Sequence, residues 1–375
     1  MKIFVAGDYC PKDRIATSID NSDYSFFDDV KSIVQQSDYS IVNFECPIVD
    51  GNATPISKSG PALRTNRKAV DAIQYAGFSC ATLANNHFRD YGDEGCKLTI
   101  EELSRQGIDH VGGGSDITEA QKVLYKTIGG KCLAIVNFCE NEFSIADKAS
   151  AGSAPLDLID NYHQITEARR NADYVLVIVH GGHEMYQLPS PRMKKTYRHF
   201  VDIGADAVIN HHQHCFSGYE YYNNKPIVYG LGNFCFDWNG KRNSIWNEGF
   251  SCSISFNDSS IEIELHPYIQ CNDAPSITFL VGEEANEFFA KILGLNSIIE
   301  SDTELAAHFG KWIASNEREK ALTFAPWHNR YLNAAARRGL LPILLSEQRA
   351  KTLLNHINCE AHRDITTAVL RRKIK

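Results

Sequence analysis

Ala207-Val208-Ile209-Asn210-His211-His212-Gln213-His214 opens as a short apolar run and closes on three histidines in four positions. An apolar run of this length reads as a buried strand. His212 and His214 are two residues apart, so on continuing strand geometry both point to one side. Leaving a strand end, they reach two metal ions or one, because imidazole suits Zn, Fe, Ni and Cu. The competing reading is a polar turn of solvated histidines. The rest of the chain chooses between the two.

Four earlier apolar runs end in similar chemistry. Residues 2–6 deliver Gly7-Asp8, at the strand end where open α/β sheets place ligands. Residues 38–44 lead into Glu45, with Pro47 stopping the ladder. Residues 79–84 run into Asn85-Asn86-His87-Phe88-Arg89-Asp90, a poor structural turn, since Gly and Pro are the usual turn formers. Residues 174–179 end in His180-Gly181-Gly182-His183-Glu184. This is not the zincin pattern His-Glu-x-x-His, and its two glycines argue against a helix. His180 is therefore the strand-end ligand, with His183 and Glu184 in the loop beside it. Five strand ends thus present Asp8, Glu45, Asn86-His87, His180 and His212/His214, all metal-ligand or acid/base types. Their common placement favours a metal site over scattered polar loops.

Two cations about 3.5–4 Å apart fit this number of ligands. Two dications at that distance repel by roughly 16 kcal/mol at an effective dielectric near 20. A bridging anion is required, and Glu45 is the best-placed carboxylate. With Asp8, Glu45 and a hydroxide the cluster stays positive and attracts an anion such as phosphate.

Between the strands, residues 24–36, 66–75, 93–106, 156–171 and 192–201 have helical spacing. A hairpin is predicted around Gly129-Gly130, and residues 249–256 and 261–268 alternate like an antiparallel pair. Gly112-Gly113-Gly114 lacks phosphate-loop spacing and is assigned no chemistry. Near residue 275 the style changes. The expected division is a domain over 1–275 and a helical segment over 276–375, with Pro326 interrupting one helix.

Composition excludes several classes. The 375 residues are 43% hydrophobic and 22% charged, ordinary for a globular protein. A net charge of -8 disfavours a nucleic-acid binder. From Arg318 onward, twelve Lys or Arg face four Asp or Glu, so the preceding residues are strongly acidic. Eleven cysteines without a Cys-x-x-Cys pair fit a reduced, cytoplasmic protein. The N-terminus does not read as a signal peptide, and no run reaches the ~18 apolar residues of a membrane span.

The motifs resemble those of the poly-γ-glutamate capsule synthesis (CapA-type) family, a branch of the calcineurin-like metallophosphatases. They are Gly7-Asp8, Asn43-Phe44-Glu45-Cys46-Pro47, Ala84-Asn85-Asn86-His87 with Asp90 and Gly92, His180-Gly181-Gly182 with Glu184, Gly204 through His214, and Tyr229 through Phe234. The resemblance covers about residues 1–270. It implies an α/β (α+β) fold, a four-layer α-β-β-α sandwich with two mixed sheets. It implies two divalent metal ions (Mn, Fe or Zn). Asp8 and His214 would serve one ion, Asn86, His180 and His212 the other, and Glu45 would bridge. His87 would be the general acid, oriented by Asp90. Asn85, His183, Glu184, His211 and Asn233 would line the substrate side. Cys10 stands where ordinary metallophosphatases carry the histidine of Asp-x-His, as in the CapA branch generally, which implies weaker holding of one metal; the chain departs from the family at Gly181, Asn210 and Gln213, which touch pocket shape more than ligands.

Two functions follow as expectations. One is a metal-dependent phosphoesterase-like hydrolase in which the ions activate a hydroxide on an anionic small-molecule or polymer substrate. The other is a non-hydrolytic subunit that binds poly-γ-glutamate or a capsule synthesis partner.

Overall fold

The computed structural model describes residues 1–327 and 329–373. The chain divides into two compact units, Met1–Leu305 and Ala306–Lys375.

The first unit is built on two mixed sheets. One has eight strands. Its path runs Ile277–Phe279, Ile261–Gln270, Glu248–Phe256, Lys2–Tyr9, Tyr39–Phe44, Cys80–Thr82, Asp109–Val111, and Asn233–Cys235 pairs with the end of Lys2–Tyr9. The other has six, in the order Tyr219–Tyr222, Lys225–Val228, Ala207–His211, Tyr174–His180, Lys131–Cys139, Leu124–Ile128. In each sheet the central strands are parallel and antiparallel pairs close an edge.

Side chains alternate across a strand, and here both faces are covered. Ile3, Val5, Ile41, Ile135, Ile178, Ala207 and Ile209 share one core between the sheets. Phe4, Ala6 and Val42 face the other way, onto Ile15, Val30, Val70 and Ile73 of the helices outside the first sheet. On the outside of the second sheet, Phe138 meets Phe200 edge-on with centroids 5.2 Å apart. The result is the four-layer α-β-β-α sandwich that the family resemblance implied. Two-sided burial is why its central strands read as continuous apolar runs.

The flanking helices start where their sequences cap them. Asp157 accepts from Ile159 and Asp160 N–H at the head of Leu158–Asn171. Ser190 accepts from Met193 N–H, with Pro191 in the first turn of Pro191–Asp202. Such caps satisfy orphan N–H groups. Helix Gly282–Glu300 belongs to this unit, with Phe288 packing on Phe216 and Phe250.

The second unit holds Arg330–Arg337, Glu347–Asn358 and Glu360–Lys373 after the end of Asp302–Leu322. Its small core joins Leu322, Ala325 and Ala336. Helix Asp302–Leu322 stops before Pro326, which cannot continue it. Among the described residues no helix is long and apolar enough to cross a membrane.

Candidate metal centre

The parallel registers carry the acidic and imidazole side chains to one level. In the first sheet Asp8 is registered with both Asn43 and Asn233. In the second, His211 lies opposite His180, and His180 opposite Cys139. The C-terminal ends of the two sheets therefore place their residues together. Gly7 allows the approach: a Cβ there would stand 2.1 Å from the Gly232 carbonyl oxygen.

Asp8 is fully buried. Its Oδ1 accepts from Asn43 Nδ2 at 2.7 Å and its Oδ2 from the His212 N–H at 3.3 Å. His214 Nδ1 is 3.6 Å from Oδ2. Glu45 is equally buried, and neither of its carboxylate oxygens has a hydrogen-bond partner among the described residues. Imidazole nitrogens stand near Oε1, His214 Nε2 at 3.7 Å and His180 Nε2 at 3.9 Å. His180 Nε2 is also 3.1 Å from Asn86 Oδ1 and 3.1 Å from His212 Nδ1. Asp8, Glu45 and His214 each offer a ligand atom, all within 4.8 Å of one another.

A buried carboxylate without a donor is costly unless a cation answers it. Burial, and then the neighbouring Asp8, pushes the Glu45 carboxyl well above the usual carboxylate range. Burial also raises Asp8, against the opposing pull of His211 and Asn43. Burial and then His212 hold both His180 and His214 well below the ordinary histidine value, as neutral rings. Neutral imidazole is the ligating form. Two carboxylates, an amide oxygen and imidazoles make a donor set that fits Mn, Fe or Zn.

The route to this cluster differs from continuing strand geometry. The strand Ala207–His211 ends before the pair, and His212 and His214 both have left-handed backbones, with φ of 93° and 54°. Non-glycine residues persist there only when their surroundings impose it. His214 is held by Asn233 Oδ1 at 2.9 Å from its Nδ1 and by the Trp246 ring at 4.6 Å. The rings of His212 and His214 stay 6.0 Å apart.

His87 follows Asn86 in the same turn and is buried. Its Nδ1 is 2.7 Å from Asp90 Oδ2. Asn85 is a tie inside this turn: its Nδ2 donates to Asn43 Oδ1 and the Phe44 carbonyl, and its Oδ1 accepts from the His87 N–H. His211 Nε2 meets the Ala6 carbonyl oxygen at 3.0 Å, a link between the two sheets. Asn233 donates to the His214 and Trp246 carbonyls. His183 is half-buried beside Tyr186, and Glu184 is exposed in the same loop yet close enough to raise Glu45 further.

Three residues at the centre were not singled out as site residues by the sequence. Asn43 points from a strand interior and contacts both Asp8 and His180, whose Nδ1 lies 3.2 Å from its Nδ2. Glu142 reaches within 3.9 Å of His212 Nε2 from a polar loop. Lys58, in a loop without periodicity, lies beside His87 and Asp90. The strand-end rule was the only signal available for Asn43; none existed for the other two.

Residues 2–238 match the family described as bacterial capsule synthesis protein PGA_cap. PGA biosynthesis protein CapA of Bacillus subtilis (strain 168) is 34% identical over 225 residues, covering 59% of this chain and 59% of that protein. Capsule biosynthesis protein CapA of Bacillus anthracis is 33% identical over 219 residues, covering 56% and 53%. The chain thus spans a little over half the length of these relatives. A solved 5'-nucleotidase precursor from Thermus thermophilus aligns at 10% identity and a TM-score of 0.42, over 78% of this chain and 57% of that one. More than half of the sequence lies inside the matched family span, and the chain belongs to the bacterial capsule synthesis protein family PGA_cap.

Proposed function

We propose that this chain is a metal-dependent hydrolase of phosphoester-like, anionic substrates, serving capsule or polyglutamate biosynthesis. The observation that carries the reading is the buried, donorless Glu45 carboxylate set among imidazoles, with a His–Asp pair beside it. Asp8 and His214 would hold one divalent ion and Asn86, His180 and His212 a second, with Glu45 shared. When bound, such ions supply Lewis-acid charge that activates the attacking water and steadies the charge developing on phosphorus.

The chain's own residues do the rest. Asn43 and the His212 N–H fix the two oxygens of Asp8. Asn233 sets the ring of His214. Asp90 engages Nδ1 of His87 and so turns Nε2 outward, where it gives a proton to the leaving oxygen. General acid catalysis of this kind contributes typically ~10²–10⁴-fold.

The test is a phosphoester panel with protein supplemented with Mn²⁺, Fe²⁺ or Zn²⁺. His87→Ala should keep its metal and lose turnover; unchanged turnover removes His87 from the mechanism. A second reading is favoured by the names of the relatives: a non-hydrolytic subunit that grips poly-γ-glutamate or docks a capsule synthesis partner. Salt-sensitive polyglutamate binding with no hydrolysis across the panel would select it.

A further inference from the structure

The loop after Glu45 is exposed along most of its length: Gly51, Asn52, Thr54, Pro55, Ser57 and Ser59 all face solvent. Lys58 breaks that pattern, its side chain only 5% exposed. Long ammonium side chains are rarely buried in this way unless paired. The partner is Asp90, whose Oδ1 receives Lys58 Nζ. Lys58 Nζ also lies 3.2 Å from His87 Nδ1.

Asp90 is the post on which the loop is hung. Its carbonyl accepts from the Ile56 N–H at 2.9 Å, and its Oδ2 accepts from the Leu63 N–H at 2.7 Å. The loop ends are tied separately, by Thr65 N–H to the Pro47 carbonyl and Val49 N–H to the Thr65 carbonyl. Closing the loop therefore does not require a buried lysine. What Lys58 adds is local. With Leu63 N–H and Lys58 Nζ donating to it, the Asp90 carboxylate is set to accept a hydrogen bond from the Nδ1–H of His87. The ammonium group thus lies against both partners of the His87–Asp90 contact.

We propose that Lys58 is a positioning residue for His87: it holds Asp90 against the ring, keeps the Nδ1–H of the imidazole on Asp90, and so aims Nε2, with its own N–H, at the leaving oxygen. The kinetic consequence rests on the hydrolase reading, whereas the locked ring does not. Lys58 touches His87 and Asp90, and through them it would set the rate of leaving-group protonation without setting substrate affinity.

The experiment has two arms on the full chain. The first reads the ring directly, by ¹⁵N–¹H correlation of histidine side chains in protein supplemented with diamagnetic Zn²⁺. The His87 Nδ1–H signal, assigned by its loss in His87→Gln, should be slowly exchanging. It should broaden or vanish in Lys58→Met and persist in Lys58→Arg, while the backbone spectrum outside the loop is unchanged. A signal equally sharp in Lys58→Met overturns the proposal. The second arm measures kcat, KM and bound metal. Lys58→Met should lower kcat roughly 10- to 100-fold at similar KM and metal content, with Lys58→Arg restoring part of it. A change confined to KM overturns the positioning role. If the parent protein hydrolyses nothing, the hydrolase reading fails and the first arm alone decides the fate of Lys58.

Discussion

Replacing Glu45 by Gln should make the metal-stripped protein more stable and the metal-supplemented protein less responsive. Glu45 Oε1 and Oε2 are buried without a hydrogen-bond partner among the described residues, and Asp8 adds a second carboxyl beside them. Each unmet buried polar group costs about 1–3 kcal/mol, more when charged. Glu45→Gln removes the charge at nearly constant volume. At about 2 °C per kcal/mol for a large unit, the melting point in EDTA at pH 7.5 should rise by roughly 2–6 °C. The sign of the pH dependence follows from the direction of the shift. The folded pKa of Glu45 lies above the ordinary 4.5. As pH climbs above that ordinary value, the unfolded chain sheds the proton while the folded chain retains it. Wild-type stability therefore falls with rising pH, by about 1.4 kcal/mol per pH unit, until the folded carboxyl also ionises. The advantage of Glu45→Gln should vanish below pH 4.5 and grow above it. Metal acts in the opposite sense: an ion at about a hundred times its dissociation constant stabilises the wild type by about 2.7 kcal/mol, and the variant should lose most of that gain. Differential scanning fluorimetry from pH 4 to 8, with EDTA and with Mn²⁺, measures both effects. A Glu45→Gln protein that melts below wild type in EDTA at pH 7.5, yet shows the full metal-induced rise, would refute the reasoning.

Other outcomes follow from single contacts. Gly7→Ala would drive a methyl to 2.1 Å from the Gly232 carbonyl oxygen, and it should cost about 1–3 kcal/mol in urea unfolding and lower metal uptake as Asp8 shifts. His180→Ala should cut the metal content of purified protein while leaving circular dichroism unchanged, because the ring serves Glu45, Asn86 and His212 rather than the core. Ile209→Ala, in the core between the sheets, should cost about 2–5 kcal/mol in the same urea titration and spare the metal content.

The central strands were legible because burial on both faces leaves an apolar run that a polar strand end interrupts, whereas the sandwich itself came from the family resemblance of those ends. Lys2–Tyr9, Tyr174–His180 and Ala207–His211 all have that form. Helix Asp13–Asp20 was not expected, since only Ile15 and Ile19 of its eight residues are buried and its periodicity is short. Strands Asn233–Cys235 and Asp109–Val111 are three residues each, too short for alternation to register. At the centre, side chains that close a strand were readable by residue type. The left-handed backbones at His212 and His214 were not, because nothing local marks a histidine for positive φ. Lys58 and Glu142 were invisible for a related reason: they come from loops whose positions are fixed by distant partners, Asp90 in one case and His212 in the other.

The central claim is that side chains from both sheets jointly hold a pair of divalent ions. Elemental analysis of freshly purified protein against protein concentration tests it most directly, with Asp8→Asn and His180→Ala alongside. The account predicts two divalent ions per chain, of Mn, Fe or Zn, and a marked loss in each variant. A wild-type protein that carries no such ion, and takes up none when all three are supplied, would contradict it.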